Sequence, residues 1–215
     1  MQLPRIRKQI RQALAHDAKT GTVAQLYCQA CRVSGREPTQ ADVEGAVTFV
    51  RQYVEHAPAI LEALQTAASE AGVIQQVMPI LEAAENYFLQ PMDFIPDQLG
   101  LVGLTDDAYV VHVLVQKAAD QYEQQTGHRL LPLQMDFSQA NAMMRTLIGE
   151  PVATQLDMAV AQTFVAPQLQ DVIRQWSQWN AALPLGPDPI WGNASINDIV
   201  NTKMALVTSS YSPSF

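Results

Sequence analysis

The sequence predicts an all-α protein: a compact bundle of about eight or nine helices, with a central helical hairpin joined by a corner rich in Pro, Asp and Gly. Three observations predict it. Apolar residues recur at spacings of three and four through most of the chain, and no stretch alternates as a half-buried strand would. The composition is 48% apolar and only 16% charged, with Ala and Gln, both good helix formers, unusually common. Capping residues, helix-starting prolines and stop glycines fall between the periodic segments. At 215 residues the chain is long enough for one sizeable core.

The helices follow in order. Leu3, Ile6, Ile10, Ala13 and Leu14 share one stripe, with Arg5, Arg7, Lys8 and Arg11 on the flanks and opposite side. A basic helix of this kind suits an anionic membrane surface, or it docks on the protein's own core; the absence of Trp or Phe anchors favours the core. Residues 22–33 form a second helix, closed at Ser34-Gly35. Thr39 and Asp42 make a capping-box start for Val43, Ala46, Val47, Val50 and Val54. Pro58 suits the first position of a separate helix with Ile60, Leu61, Leu64 and Ala68, stopped by Gly72. From about 73 to 89 runs a helix in which Pro79 predicts a kink or break near residue 78.

Beyond the corner, Thr105 is placed to cap a helix with Asp106 and Asp107 in its first turn and Gly127 at its end. It is apolar over more than half its circumference, which puts it at the centre of the bundle. A connector over 128–136 leads to a short helix capped by Ser138 and closed by Gly149. Helices from Pro151 to about Val165 and from Pro167 to about Leu183 come next. Residues 184–194 read as irregular, and Ser195 starts a last short helix carrying Ile196, Ile199, Val200 and Met204. One helical domain is therefore expected over 1–183, with 73–126 as its hairpin core. Residues 184–215 are expected to form a mostly irregular extension with one short helix.

The corner, residues 87–107, holds Pro91, Pro96, Gly100 and Gly103 together with Asp93, Asp97, Asp106 and Asp107. Its prolines and glycines exclude a plain helix. Phe94, Ile95, Leu99, Leu101, Val102 and Leu104 are too apolar for an ordinary surface loop. An ordered, largely buried turn between two helices satisfies both conditions. The pattern Pro91-x-Asp93-x-Ile95-Pro96-Asp97, followed by Gly103-x-x-Asp106-Asp107 and preceded by Tyr87, resembles the signature of the YkvA-like bacterial family. The likeness covers about residues 75–117, and Gly100 stands where the family pattern has a further proline. The resemblance implies a small helical domain, sometimes membrane-associated, with no settled activity.

Two readings of the four aspartates stand. Folded together, Asp93, Asp97, Asp106 and Asp107 would offer oxygen ligands to Mg²⁺ or Ca²⁺, for a cation-dependent enzyme or ligand-binding protein. Alternatively they accept main-chain N–H groups and complement the helix dipole, as acids at turns and helix starts ordinarily do. The irregular buried backbone needs such acceptors, and the capping reading is preferred. Signatures of specific enzymes are absent from the sequence: no Glu-x-x-His, no His-Glu-x-x-His, no Gly-rich phosphate loop and no Gly-x-Ser-x-Gly. Asp106-Asp107 lacks a third acid at Val110 for a prenyl-diphosphate motif. His112 reads as a satisfied core histidine, and His16, His56 and His128 as isolated.

Thirteen Lys and Arg against 21 Asp and Glu leave a net charge of −8, which argues against nucleic-acid binding. Residues 1–36 nevertheless hold seven cations and only Asp17, a balance of +6, so the remainder carries −14. Packing of the basic start on the acidic remainder and docking to an external anionic surface both fit. Cys28 and Cys31 lack a second pair or a βαβ context, and read as buried thiols on a helix. Neither a signal peptide nor an apolar run of membrane-spanning length is present in the sequence, so a cytoplasmic place is expected, with peripheral contact to an inner membrane as the variant. Trp176, Trp179, Trp191, Tyr211 and Phe215 concentrate aromatics towards the C-terminus, where they serve a core or a partner-binding surface. The leading expectation is a non-catalytic interaction or assembly protein, binding a protein partner or itself through helical faces and this aromatic extension.

Overall fold

A computed structural model describes residues 2–70, 74–89, 94–127, 137–165 and 171. Seven α-helices and no strand are found among the described residues: α1 Leu3–Thr20, α2 Thr22–Val33, α3 Gln40–Glu70, α4 Ile74–Leu89, α5 Thr105–Thr126, α6 Phe137–Ile148 and α7 Glu150–Val165. The expected helices over 167–183 and after Ser195, the 184–194 stretch, most of the 128–136 to Phe137 junction and Gly72 lie outside the described residues.

Two long helices organise the rest. α3 packs against α1, α2, α4 and α5, and α5 packs against α3, α4, α6 and α7. Every residue of α5 from Thr105 to Val115 is buried, in keeping with its apolar circumference. α4 and α5 form the central hairpin, joined through short 3-10 turns at Asp97–Leu99 and Val102–Leu104.

The α1–α2 corner is held by one acid. Gly21, at φ 62, ends α1 by donating its N–H to the Asp17 carbonyl at 2.7 Å. The buried Asp17 carboxylate accepts the N–H of Val23 at 3.0 Å, satisfying a donor at the start of α2. Leu3, Ile6, Ile10 and Ala13 are buried against the bundle, so the apolar stripe of α1 belongs to the protein's own core. At the start of α3 the capping box is present in both directions: Asp42 N–H donates to Thr39 Oγ1 at 3.2 Å, and Thr39 N–H to Asp42 Oδ2 at 2.8 Å.

Three local expectations are corrected. Pro58 does not begin a new helix; it lies inside α3, which runs unbroken from Gln40 to Glu70. The reason is the stripe around it: Phe49, Val50, Tyr53, Val54, Ala57, Ile60, Leu61 and Leu64 are all buried on one side, and the burial of that continuous face outweighs the one hydrogen bond a proline removes, a loss of about 3 kcal/mol. The merger accounts for part of the shortfall from eight or nine helices. Of the kink or break expected near residue 78, the break is absent: α4 runs continuously from Ile74 to Leu89 with Pro79 inside it. Thr105 is the first residue of α5 rather than its cap, and its hydroxyl donates back to the Val102 carbonyl at 2.6 Å.

Candidate functional site

The corner is built from main-chain donors that need acceptors. Here Pro96 and Gly100 stand together without a long buried stripe to carry a helix through them, and the chain turns through 3-10 geometry, with Leu99 N–H donating to the Pro96 carbonyl at 2.9 Å and Leu104 N–H to that of Leu101 at 3.3 Å. Between the two turns Gly100 sits at φ 65, in the left-handed region, and a Cβ there would lie 2.7 Å from Cδ2 of His16 on α1. Gly100 thus permits both the turn and the close approach of α1. Ile95, Leu101, Val102 and Leu104 are buried beneath it; Phe94 is 38% exposed, contrary to its expected burial.

Asp106 latches this corner. Its Oδ2 accepts the N–H groups of both Phe94 and Ile95, each at 3.0 Å, across a sequence gap that spans the whole turn. The sequence reading gave the four acids capping and helix-dipole roles as a group; Asp106 ties the loop to the first turn of α5. Asp107 beside it is 7% exposed and Asp106 is 2% exposed. Asp93 and the side chain of Asp97 lie outside the described residues, so the four acids are not seen as a set. Among the described residues no group of three or more His, Cys, Asp or Glu is arranged to hold a metal ion.

Two turns further along α5, a polar chain runs through the core. His112 is fully buried, and its Nδ1 donates to the Ala108 carbonyl at 2.7 Å. That bond defines the tautomer: a neutral ring protonated on Nδ1 has only Nε2 to accept with, so the His56 Nδ1–H donates to His112 Nε2 at 3.0 Å. Tyr53 stacks on the His112 ring, with centroids 4.1 Å apart and planes at 22°. Its hydroxyl donates to Asn141 Oδ1 at 2.6 Å; Asn141 Nδ2 donates to Gln116 Oε1 at 2.7 Å, and Gln116 Nε2 to Ser138 Oγ at 3.0 Å. The chain therefore joins α3, α5 and α6. Burial, then the neighbouring His56, pushes His112 down to about 3, and burial pushes His56 down to about 4. Tyr53 is raised well above the usual phenol range by burial.

A second polar hub fastens α6 and α7 to α5. Arg145 Nε and Nη2 reach both carboxylate oxygens of Glu150, at 2.9 Å to Oε1 and 2.6 Å to Oε2, the forked geometry in which arginine binds a carboxylate most strongly. Arg145 also pairs with Asp157 and reaches Thr154 Oγ1 at 3.1 Å, while the Tyr109 hydroxyl donates to Asp157 Oδ1 at 3.0 Å. Hydrogen bonding from Arg145 lowers the Glu150 carboxyl below its ordinary range. Burial raises Tyr109 to about 12.

The remaining sequence candidates distribute as follows. Arg5, Lys8 and Arg11 face solvent, whereas Arg7 lies to the side and pairs with Glu62 on α3. Cys31 is buried and Cys28 half-buried, both as free thiols on α2. Trp176, Trp179, Trp191, Tyr211 and Phe215 lie outside the described residues. Sequence reasoning missed the His56–His112 pair, having taken His56 as isolated, and missed Tyr53, Asn141 and Gln116. No local pattern signals a contact between residues this far apart. For the Arg145 hub there is one signal: Arg145 is the only charged residue of α6, with Glu150 five positions on.

The geometry stands beside the comparisons with known proteins. A family model described as a protein of unknown function (DUF1232) matches residues 83–113. That segment runs from the second half of α4 through the corner to the middle of α5, so the match covers only the latch and its two supporting helices, and it is compatible with the YkvA-like resemblance. No curated protein and no solved structure matches the chain.

Proposed function

We propose that the chain is a non-catalytic interaction or assembly protein of the cytoplasm, which binds a protein partner or a second copy of itself through outward helical faces. The observation that carries this reading is the outer side of α7. Met158 and Val165 stand 59% and 70% exposed there, with Ala161 exposed between them at helical spacing. A soluble helix ordinarily turns polar residues outward, and an apolar stripe left in water is the usual mark of a surface that binds something. In sequence, α7 is followed by the part of the chain that holds Trp176, Trp179 and Trp191.

The interior supports a structural role. Its buried polar groups join helices to one another: Tyr53 to Asn141, His56 to His112, Asp106 to the corner. For the cation-dependent alternative, Asp106 Oδ2 is already engaged by two main-chain donors, which weighs towards capping. No helix among the described residues is long and apolar enough to cross a membrane.

The test uses Met158→Glu with Val165→Glu, both at exposed positions. Self-association or partner binding, read by light scattering and cross-linking, is expected to be lost, with the melting temperature unchanged. A chain that is monomeric at all concentrations, and binds the same partners before and after the double substitution, refutes the reading. A rise in melting temperature with millimolar Mg²⁺ or Ca²⁺, abolished by Asp107→Asn, favours the cation alternative instead.

A further inference from the structure

The α1 helix has two sides with different fates. The buried side, Leu3, Ile6, Ile10 and Ala13, is committed to the bundle. At 100° per residue, Lys8 and Lys19 point directly away from that side, and Arg5 and Arg11 flank them. All four are exposed, and none has an ion-pair partner among the described residues. The only acid of α1, Asp17, is turned inward to cap α2. The other outward positions of α1 include Pro4, Gln12, Ala15 and Ala18, small or uncharged, so α1 itself places no acid beside these cations. The result is a cationic ridge about 21 Å long, from the helix rise of 1.5 Å per residue, and about 120° wide around the helix axis, on a chain whose remaining residues are strongly acidic.

We propose that this ridge docks the protein on an anionic lipid surface. Two features select a bilayer over other anionic partners. The ridge carries no aromatic or large apolar side chain, which a protein interface uses at its centre and single-stranded nucleic acid uses for stacking. Its charges are spread over about 120° of the outward side of the helix in no fixed register, and a fluid bilayer supplies anions at any spacing without a matched register. The net negative charge of the chain does not oppose the contact, because acids beyond a Debye length, about 10 Å at 0.1 M salt, are screened from it. With its apolar stripe buried, α1 cannot insert; the contact is electrostatic, reversible and peripheral. Arg7 is excluded from the ridge because Glu62 neutralises it. α1 packs on α3 and α4, while α7 packs on α5 and α6, so lipid docking leaves the apolar stripe of α7 for its own partner.

The experiment is vesicle flotation of the full chain, with phosphatidylcholine alone and with phosphatidylcholine mixed equally with phosphatidylglycerol. Binding to the mixed vesicles only is expected, falling as salt is raised, with affinity dropping about fivefold for each ridge cation removed. The triple variant Arg5→Ala/Lys8→Ala/Arg11→Ala should lose flotation while melting as the parent does, and Arg51→Gln on α3 should float normally. Failure to bind the mixed vesicles at low salt, equal binding to both compositions, or unchanged binding by the triple variant overturns the proposal. So does self-association at low salt that the triple variant abolishes while vesicles stay bare, which would assign the ridge to a second copy.

Discussion

His112 has no exposed surface, and neutrality is built into its surroundings. One ring nitrogen is tied to the Ala108 carbonyl, the other accepts from His56, and Tyr53 covers a face. Protonating His112 Nε2 would set two donors against each other at a fully buried ring. Burial disfavours the charged form of both rings, and the neighbouring His56 adds to it for His112, so both titrate low, His56 at about 4 and His112 at about 3, against an ordinary 6.5. Above pH 6.5 the rings are neutral in the folded and unfolded chain alike, and their full contribution to stability is present. As pH falls below 6.5 the unfolded chain takes up protons that the folded one refuses, so stability falls and levels off only below the folded values. Unfolding near pH 5 is therefore expected to bind close to two extra protons, visible as a steep pH dependence of the urea midpoint. His112→Phe should remove about half of that slope; a midpoint equally pH-dependent in the variant would show that other groups set it. None of this was legible in the sequence, where His56 and His112 are separate residues in separate apolar stripes. Only the chain's return brings them within bonding distance.

At the scale of elements, what could be read was periodicity and what could not was competition. The stripes of α1, α3 and α5, the Thr39–Asp42 box and the Gly127 stop all follow from local rules, and they are where those rules place them. Pro58 follows its local rule less well than it follows the buried face on either side of it. The corner was legible as an ordered turn from its prolines, glycines and apolar residues, but the identity of its latch was not. An acid at the start of a helix looks the same in sequence whether it serves its own helix or a loop 12 residues back. The difference is measurable. Asp106→Ala leaves the Phe94 and Ile95 amides without this acceptor, one of them buried, at an expected loss of about 3 kcal/mol. Hydrogen exchange at Phe94 and Ile95 should accelerate in the variant far more than exchange in α3. If exchange at the corner stays slow, something else holds those amides and the latch is misassigned.

At the scale of the molecule, the described helices form two groups that share α3 and α5. α1 and α2 lean on α3, α6 and α7 lean on α5, and α4 with the corner closes the seam. Neither outer group has a sufficient core alone: α2 buries only Val23, Tyr27, Ala30 and Cys31 of its own, and α7 only Ala153, Leu156, Val160 and Phe164. Their stability is borrowed from the shared pair, so the described bundle should unfold as one unit rather than in halves. Leu64 on α3 and Leu114 on α5 are both fully buried in that shared layer. Truncating either to Ala removes packed methyl groups and leaves a cavity, at an expected cost of 2–5 kcal/mol, about what such changes cost in close-packed cores. The informative measurement is where the loss appears. In a single cooperative unit, Leu64→Ala weakens exchange protection in α6 by as much as in α1, and Leu114→Ala does the same in reverse. A loss confined to the group nearest each substitution would divide the molecule at the α3–α5 contact, and would make the cationic side and the apolar side of the protein independently folding parts.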